Sequence, residues 1–417
     1  MRIAVLGGGV VGITTAFWLA RDGHEVTVVD QHERAAMETS FSNAGMISPG
    51  HAYTWASPRA PKILWQSLFR DDVALRLEPR LDPAMWAWCW KFLKECPAER
   101  AAINTAHKVR LCLYSQATFA DVNAELAPDY DLQSQGAIYV YRDREHFERG
   151  VAGLRVLTDN GVGLEPVDVD RAVEIEPALA PDRDNLAGAI YCASDQSGDC
   201  HKFTNLLAAH CAEALGVTFR WSTRIDRLES EGDRITGVVT DQGRIEADAY
   251  VLALGAFSQI FTRSLGFSLP IYPVKGYALT IPIDGANGAP QLCGVDEKYL
   301  IAWSRLGDRL RVTATAEFAG FDKSVSAKDT AHMLATIRRL FPNGAAYDKA
   351  SAWAGLRPMT PKGTPILGSS PKRNLYLNTG HGHIGWTMSM GSARVVADVI
   401  AGRTPEIDLA GLTLADA

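Results

Sequence analysis

The chain has 417 residues, 47% of them apolar and 22% charged, with a formal net charge of −6. That is ordinary globular composition, long enough for two domains or one large domain with an insertion. The acidic balance leaves no basic excess to neutralise phosphates, so no nucleic-acid partner is expected. No run of about 18 apolar residues is present to span a membrane, and M-R-I-A-V-L-G-G-G reads as a strand from residue 2 rather than a leader. A cytoplasmic protein is expected. The cysteines (Cys89, Cys96, Cys112, Cys192, Cys200, Cys211, Cys293) form no C-x-x-C and no zinc spacing with histidine, which predicts reduced thiols and no metal centre.

In chain order, Arg2 to Leu6 predicts a short buried strand, Val10 to Ala20 a helix and Glu25 to Asp30 a second strand. Residues 50 to 100 predict irregular, proline-rich chain carrying the cluster M-W-A-W-C-W-K-F-L, Met85 to Leu93. Ala98 to Leu126 predicts one long helix, Gly136 to Tyr141 a strand, His201 to Leu215 an amphipathic helix and Val217 to Trp221 a strand. Ile225 to Asp248 alternates and turns at E-G-D and D-Q-G, a β-meander, before the buried strand Ala249 to Leu254. Beyond it a mixed sheet is expected, with strands Tyr277 to Ile281, Tyr299 to Trp303 and Arg309 to Ala316 and a helix from Ala327 to Leu340. Leu375 to Asn378 is the last strand, followed by Gly-His-Gly and a helix from Thr387 to Ala401. These pieces predict an α/β (α+β two-domain) protein. Segments 1–85, 145–262 and 350–417 are assigned to nucleotide binding; an inserted antiparallel-sheet substrate domain takes 86–144 and 263–349.

Gly7-Gly8-Gly9-Val10-Val11-Gly12 fits G-x-G-x-x-G directly after a strand and at the start of a helix. The glycines permit a tight turn and close approach of backbone to a pyrophosphate at the helix N-terminus. Asp30 ends the next strand with Gln31 beside it, placed to accept hydrogen bonds from ribose hydroxyls. Two later segments favour a flavin. E-T-S-F-S-N-A-G offers hydroxyls and backbone N–H groups from Thr39, Ser40, Asn43, Ala44 and Gly45, with Ile47 just beyond; the alternative is a capped turn. N-T-G-H-G-H-I-G-W-T brings Gly380, His381, Gly382 and His383 to a helix start, whose positive end suits negative charge developing on a reduced flavin. H-x-H also suggests a metal, but no acidic or cysteine ligand adjoins it.

Together these motifs resemble the FAD-dependent D-amino acid oxidase superfamily, and within it the bacterial D-amino acid dehydrogenases (small subunit). The likeness runs over nearly the whole chain. It rests on the glycine turn, E-T-S-x-x-N-A-G-x-I-S-P-G (Glu38 to Gly50), S-G-D-C (Ser197 to Cys200) and Y-P-V-K-G-Y (Tyr272 to Tyr277). It continues through G-L-R-P-M-T-P-x-G-T-P (Gly355 to Pro365) and L-N-T-G-H-G-x-x-x-W-T-M (Leu377 to Met388). The resemblance implies a glutathione-reductase-type FAD-binding Rossmann fold, with Ile225 flanking the adenine and Ala253, Gly255 and Gly355 at the cofactor. It implies non-covalent FAD and oxidative deamination of a D-amino acid to a 2-oxo acid and ammonia, with hydride passing from the α-carbon to flavin N5. Electrons would pass to a quinone or another carrier at the inner membrane face.

The superfamily arginine that binds the substrate carboxylate maps onto Arg357, whose guanidinium fork suits a bidentate grip. Tyr277 is a candidate second donor to that carboxylate and Lys275 a candidate neighbour of the flavin edge; solvated strand residues are the alternatives. His51 stands where tyrosine is expected after S-P-G, and His383 lies in the G-H-G-x-x-x-W stretch, so both bear on substrate choice. His51 is also a candidate for amine deprotonation. A cyclic or N-substituted substrate (D-proline, hydroxy-D-proline, glycine, sarcosine) is the alternative to a linear D-amino acid. Trp303 and Trp386 are candidate pocket walls or core. No cysteine follows Cys293, which excludes a cysteinyl flavin link in the C-terminal segment. The Met85–Leu93 cluster, with Lys91 and Lys94, is a candidate for bilayer contact, with packing inside the protein as the alternative. Oligomeric state, natural acceptor, and oxidase against dehydrogenase stay open, as do an NAD-linked dehydrogenase and a non-catalytic flavin-binding protein.

Overall fold

The computed structural model describes residues 1–67, 75–77 and 80–417. The first layer grows from I-A-V-L, an unbroken apolar run that only a strand covered on both faces can bury. Arg2–Leu6 lies inside a six-stranded sheet, between Ala249–Leu252 and Glu25–Val29, both parallel to it. Leu375–Thr379 and then Ile366–Ser369 extend one side and Thr218–Arg220 the other; only Ile366–Ser369 runs antiparallel. Helix Val10–Arg21 packs on this sheet through a gap that tolerates no side chain: a β-carbon at Gly12 would lie 1.9 Å from the Gly7 carbonyl oxygen. Helix Gly385–Ile400 is buried on nearly every side, with small and apolar residues predominating, as a helix enclosed by others must be. It packs between Val10–Arg21 and Ala98–Leu126, where the Gly391 N–H reaches Ser115 Oγ at 3.0 Å. The meander forms a separate three-stranded sheet, Ile225–Glu231, Arg234–Thr240 and Gly243–Ile245.

The second layer is a nine-stranded, largely antiparallel sheet. Its order is Ser351–Met359, Tyr272–Pro282, Arg309–Phe318, Ile301–Leu306, Cys293–Asp296, Ala137–Tyr141, Gly188–Cys192, Glu165–Val167, with Leu75–Leu77 beside Arg309–Phe318. Tyr272–Pro282 is six residues longer than the expected Tyr277–Ile281 because both its faces are buried, so it shows no alternation to read. Tyr272 and Val274 pack toward the helix Pro83–Lys94, whereas Tyr277, Leu279 and Ile281 face the helix Ala327–Leu340. Glu165–Val167, Gly188–Cys192 and Ser351–Met359, assigned from sequence to the nucleotide-binding segments, pair into this sheet. The long helix Ala98–Leu126, assigned to the substrate part, packs on Gly385–Ile400.

The described part of residues 50–100 carries more regular structure than expected. Ala60–Ser67 and Pro83–Lys94 are helices. Pro83 is no breaker there: it sits at the first helical position, where its missing N–H needs no partner, and Asp82 Oδ1 caps the Ala84 and Met85 N–H groups at 2.9 and 3.2 Å. Residues 68–74 and 78–79 of that expected irregular stretch lie outside the described residues.

Candidate active site

A cavity of about 450 Å³ opens between the C-terminal ends of the parallel strands and one face of the nine-stranded sheet. Ligands of α/β proteins bind at that end of the strands. One arm of the cavity is the glycine turn. Gly7, Gly9, Val10 and Val11 line it, while Gly12 does not, its role being the close packing of helix on strand. Gly7 has φ +111°, and a β-carbon there would meet the Ala253 carbonyl oxygen at 2.6 Å. The helix that follows has no side-chain cap on its first turn apart from Ser40 Oγ, which accepts from the Val10 N–H at 3.1 Å. Asp30 and Gln31 border the same arm. The Asp30 carboxylate accepts from the backbone N–H of Gly8 (2.6 Å) and of His32 (2.8 Å); burial nevertheless lifts its carboxyl above the usual range.

The Glu38–Gly45 segment lines the middle of the cavity with Thr39, Ser40, Asn43, Ala44 and Gly45. Its polar groups also hold its own shape: Asn43 Oδ1 accepts from the Gly45 N–H at 3.0 Å, and Thr39 Oγ1 donates to the Leu356 carbonyl at 2.7 Å. Ile47 is fully buried in the core and does not reach the cavity. Ile225, Ala253 and Gly255 line the far arm beside Arg224 and Val29. His381, Gly382 and His383 line the opposite wall, where a short 3-10 turn feeds the uncapped start of helix Gly385–Ile400. Gly380 stands just outside the lining, at φ +78°. His381 Nε2 lies 2.9 Å from Ser392 Oγ, and burial pulls its imidazole down to about 3. Among the described residues no three His, Cys, Asp or Glu side chains gather as a metal site.

Arg357 sits on Ser351–Met359 and projects across the neighbouring strand. A β-carbon at Gly276 would lie 2.1 Å from its Nη1, so the guanidinium occupies the place a side chain would take. Nη1 donates to the carbonyls of Thr315 (2.8 Å) and Lys275 (3.4 Å). The Thr315 carbonyl is presented by a β-bulge: the pairing shifts between Lys275↔Glu317 and Tyr277↔Ala314, and Thr315 has φ +63°. Bulges re-aim groups in this way. Trp55 lies 5.9 Å from the guanidinium carbon, and no carboxylate pairs with Arg357 among the described residues. Burial alone draws its guanidinium down to about 10.

The other two candidate catalytic residues fare differently. Tyr277 borders the cavity, but successive strand residues face opposite ways, so its ring lies on the far side of the sheet from Gly276 and Arg357. Its hydroxyl donates to Glu317; it is no second donor to a carboxylate at Arg357. Lys275 shares that far face, held by Asp322 at 3.1 Å and 5.1 Å from the Tyr277 ring centre, outside the cavity lining. His51 lines the cavity, stacks on Tyr139 at 5.2 Å and pairs through Nε2 with Glu297 at 3.0 Å. Burial pulls its imidazole down, but the Glu297 carboxylate outweighs that and holds it above the usual value. Gly355 lines the cavity with no room for a side chain, since the Trp353 ring lies 2.2 Å from where a β-carbon would be. Trp386 lines the cavity; Trp303 is core, its Nε1 donating to the Leu292 carbonyl at 3.1 Å. Trp55, Glu297 and the Thr315 bulge escaped sequence reasoning: nothing local in those stretches marks a position that only the folded sheet brings to Arg357 or His51.

A glycine cradle without space for side chains, an acidic residue at the next strand end and an uncapped helix start across the cavity together fit a flavin dinucleotide. A family model described as FAD dependent oxidoreductase matches residues 2–399. A D-amino acid dehydrogenase of Paramagnetospirillum magneticum is 48% identical over 415 residues, covering 99% of this chain and 98% of its own. A D-amino acid dehydrogenase of Bradyrhizobium diazoefficiens is 44% identical over 414 residues, covering 99% and 98%. In fold the chain is similar to the glycine oxidase of Geobacillus kaustophilus, with a TM-score of 0.75 and 23% identity over 99% of this chain and 98% of that one. The glycine turn, the Asp30 strand end and the match over residues 2–399 agree, and the chain belongs to the FAD dependent oxidoreductase family, with FAD as its cofactor.

Proposed function

We propose that the protein oxidises D-amino acids to 2-oxo acids and ammonia, with FAD held non-covalently. The observation that carries the reading is Arg357: a guanidinium on the cavity wall whose partners among the described residues are two backbone carbonyls, with no carboxylate. A substrate α-carboxylate supplies the missing charge. FAD supplies the acceptor for the hydride that leaves the α-carbon. The chain's own task is positional. The carbonyls of Thr315 and Lys275 anchor one guanidinium nitrogen and leave the rest of the fork for a bidentate grip. Trp55, His383 and His51 wall the cavity beside it, and Gly276 leaves room for the arginine to lie flat. The His51–Glu297 pair, once its imidazole has lost its proton, is the candidate acceptor for the amine proton. The two D-amino acid dehydrogenases above support the stereochemistry.

The same reading takes the six-stranded sheet and its helices as the cofactor-binding part and the nine-stranded sheet as the substrate-binding part. It sends the electrons to a quinone or similar carrier, and it places the enzyme against a membrane. The last point is supported by the helix Pro83–Lys94, which buries Met85, Trp88, Cys89 and Phe92 but leaves Trp86 46% and Trp90 62% exposed beside Lys91 and Lys94. No helix among the described residues is long and apolar enough to cross a membrane. The decisive experiment is anaerobic bleaching of the flavin by a panel of D- and L-amino acids, D-proline, hydroxy-D-proline, glycine and sarcosine. Bleaching by L-isomers alone sinks the reading. Arg357→Lys and Arg357→Ala are expected to keep the yellow colour while KM rises roughly thirtyfold or more, because a buried charge pair loses a partner; an unchanged KM returns Arg357 to a structural role.

A further inference from the structure

Lys108, on the inner face of helix Ala98–Leu126, is fully buried and has no carboxylate partner among the described residues. Its ammonium donates to the Tyr53 carbonyl at 3.1 Å and to His383 Nε2 at 3.5 Å. An isolated buried charge is unfavourable, which makes such a group beside a ligand cavity a functional candidate. Its two partners are the two ends of one wall. Tyr53 leads into Trp55, and the His383 ring stacks on Trp55 at 5.1 Å with 25° between planes. Trp55 in turn lies beside the Arg357 guanidinium. An ammonium can only donate, so His383 Nε2 accepts and its proton sits on Nδ1, which has no partner among the described residues. Burial, with the charges of Lys108, His51 and Arg357 around it, holds His383 neutral.

We propose that Lys108 is a positioning residue for the substrate carboxylate, fixing the Trp55–His383 wall beside Arg357 and adding a second positive charge behind it. The proposal rests on the reading of Arg357 as the carboxylate anchor. The groups around Lys108 are few. Cys112, one turn along the same helix, is pushed up to about 12 by burial and stays a thiol. His51, pulled down by burial but held above its usual value by Glu297, loses its own charge within the tested range, and Lys108→Met, which leaves it in place, separates the two groups. Asp195, lifted to about 6 by burial and bonded by Tyr139 and the Gly50 N–H, is already ionised at neutral pH. His383 is neutral throughout. Burial draws Lys108 itself down to about 8, so its charge is lost across a range in which Cys112, Asp195 and His383 do not change.

The test is kcat and KM for a D-amino acid between about pH 6.5 and 10 in wild type, Lys108→Met and Lys108→Arg, with Tm of each holoenzyme. Wild type is expected to lose kcat/KM above about pH 8 through a rising KM. Lys108→Met should show KM raised about tenfold at pH 7, the effect of removing one nearby charge in a protein interior. It should lack that alkaline limb, and its Tm should not fall. Lys108→Arg should keep a low KM and move the limb to higher pH. A limb and a KM that survive in Lys108→Met overturn the proposal, and so does a lower Tm with unchanged KM, which marks a structural lysine. If Lys108→Met does not fold, His383→Leu against His383→Gln serves instead. Gln keeps an acceptor for the ammonium and should hold KM nearer wild type; equal KM in the two sinks the idea. Arg357→Lys measured alongside separates the failures: an unchanged KM there removes the anchor itself, whereas a raised KM there with an inert Lys108→Met removes only this proposal.

Discussion

At the scale of single residues, charge without a counter-charge marks the site. Arg357 and Lys108 both lie at or behind the cavity with only carbonyl or imidazole hydrogen-bond partners among the described residues, whereas Lys275 is paired with Asp322 and His51 with Glu297. Lys108 carries a stability consequence with a definite sign. Its folded-state pKa is lowered from 10.5 to about 8, so between those values the unfolded chain binds the proton more tightly. This group's contribution to stability therefore rises with pH from about 8 to 10.5. Below pH 8 it destabilises by about 3 kcal/mol. Lys108→Met removes that penalty, so its denaturation midpoint at pH 7 is expected to match or exceed wild type. Tyr277 gives the opposite pattern. Tyr277→Phe leaves the Glu317 carboxylate, buried beneath the sheet, without its donor, and a loss of about 1–3 kcal/mol in denaturant titration is expected with KM unmoved. A raised KM would put the tyrosine back at the substrate.

At the scale of elements, close approach decides more than propensity. The strand–turn–helix at the N-terminus exists because Gly12 lets helix backbone touch the Gly7 carbonyl. Gly12→Ala, with its β-carbon 1.9 Å from that backbone oxygen, is expected to yield protein that does not retain FAD on gel filtration. Normal flavin occupancy in this variant would refute the cradle argument. The same logic pairs Gly276 with Arg357 on adjacent strands: the glycine is the space the arginine needs. Much of this was legible in the chain. Helices Ala98–Leu126 and Ala327–Leu340 and strand Arg2–Leu6 fall where their patterns put them, because each carries a period or an apolar run of its own. The strand Ser351–Met359 was not legible, since W-A-G-L-R-P-M mixes one glycine and one proline, both poor strand formers, with a charged residue whose reason for being there lies across the sheet.

At the scale of the molecule, two sheets leave a cavity between them, and nearly every predicted cofactor residue reaches it: Gly12, Ile47, Lys275 and Gly380 do not. The Met85–Leu93 cluster has two faces, and the packing reading accounts for one of them. One face of the helix closes the core around Tyr272 and Phe318, and the other leaves Trp86 and Trp90 in solvent with Lys91 and Lys94. Interfacial tryptophans flanked by lysines suit an anionic bilayer surface. Replacing Trp86 and Trp90 together by Ser is expected to lower co-sedimentation with vesicles containing anionic phospholipid while leaving kcat and KM for the amino acid unchanged. Equal binding by the double variant would remove the helix from any membrane role.

The sequence by itself marked the candidate cofactor arm, because G-x-G-x-x-G, Asp30 and the Glu38–Gly45 segment are local patterns within short stretches, and marked Arg357 as a candidate through its motif. Only the tertiary structure decided what surrounds Arg357. Pleat direction turned Tyr277 and Lys275 away from Arg357. A bulge brought the Thr315 carbonyl to it. Helix packing set Lys108 behind His383. These are contacts between residues 42 to 275 positions apart, and which face a residue shows at such a distance depends on strand register and helix packing, which no local pattern of residues carries.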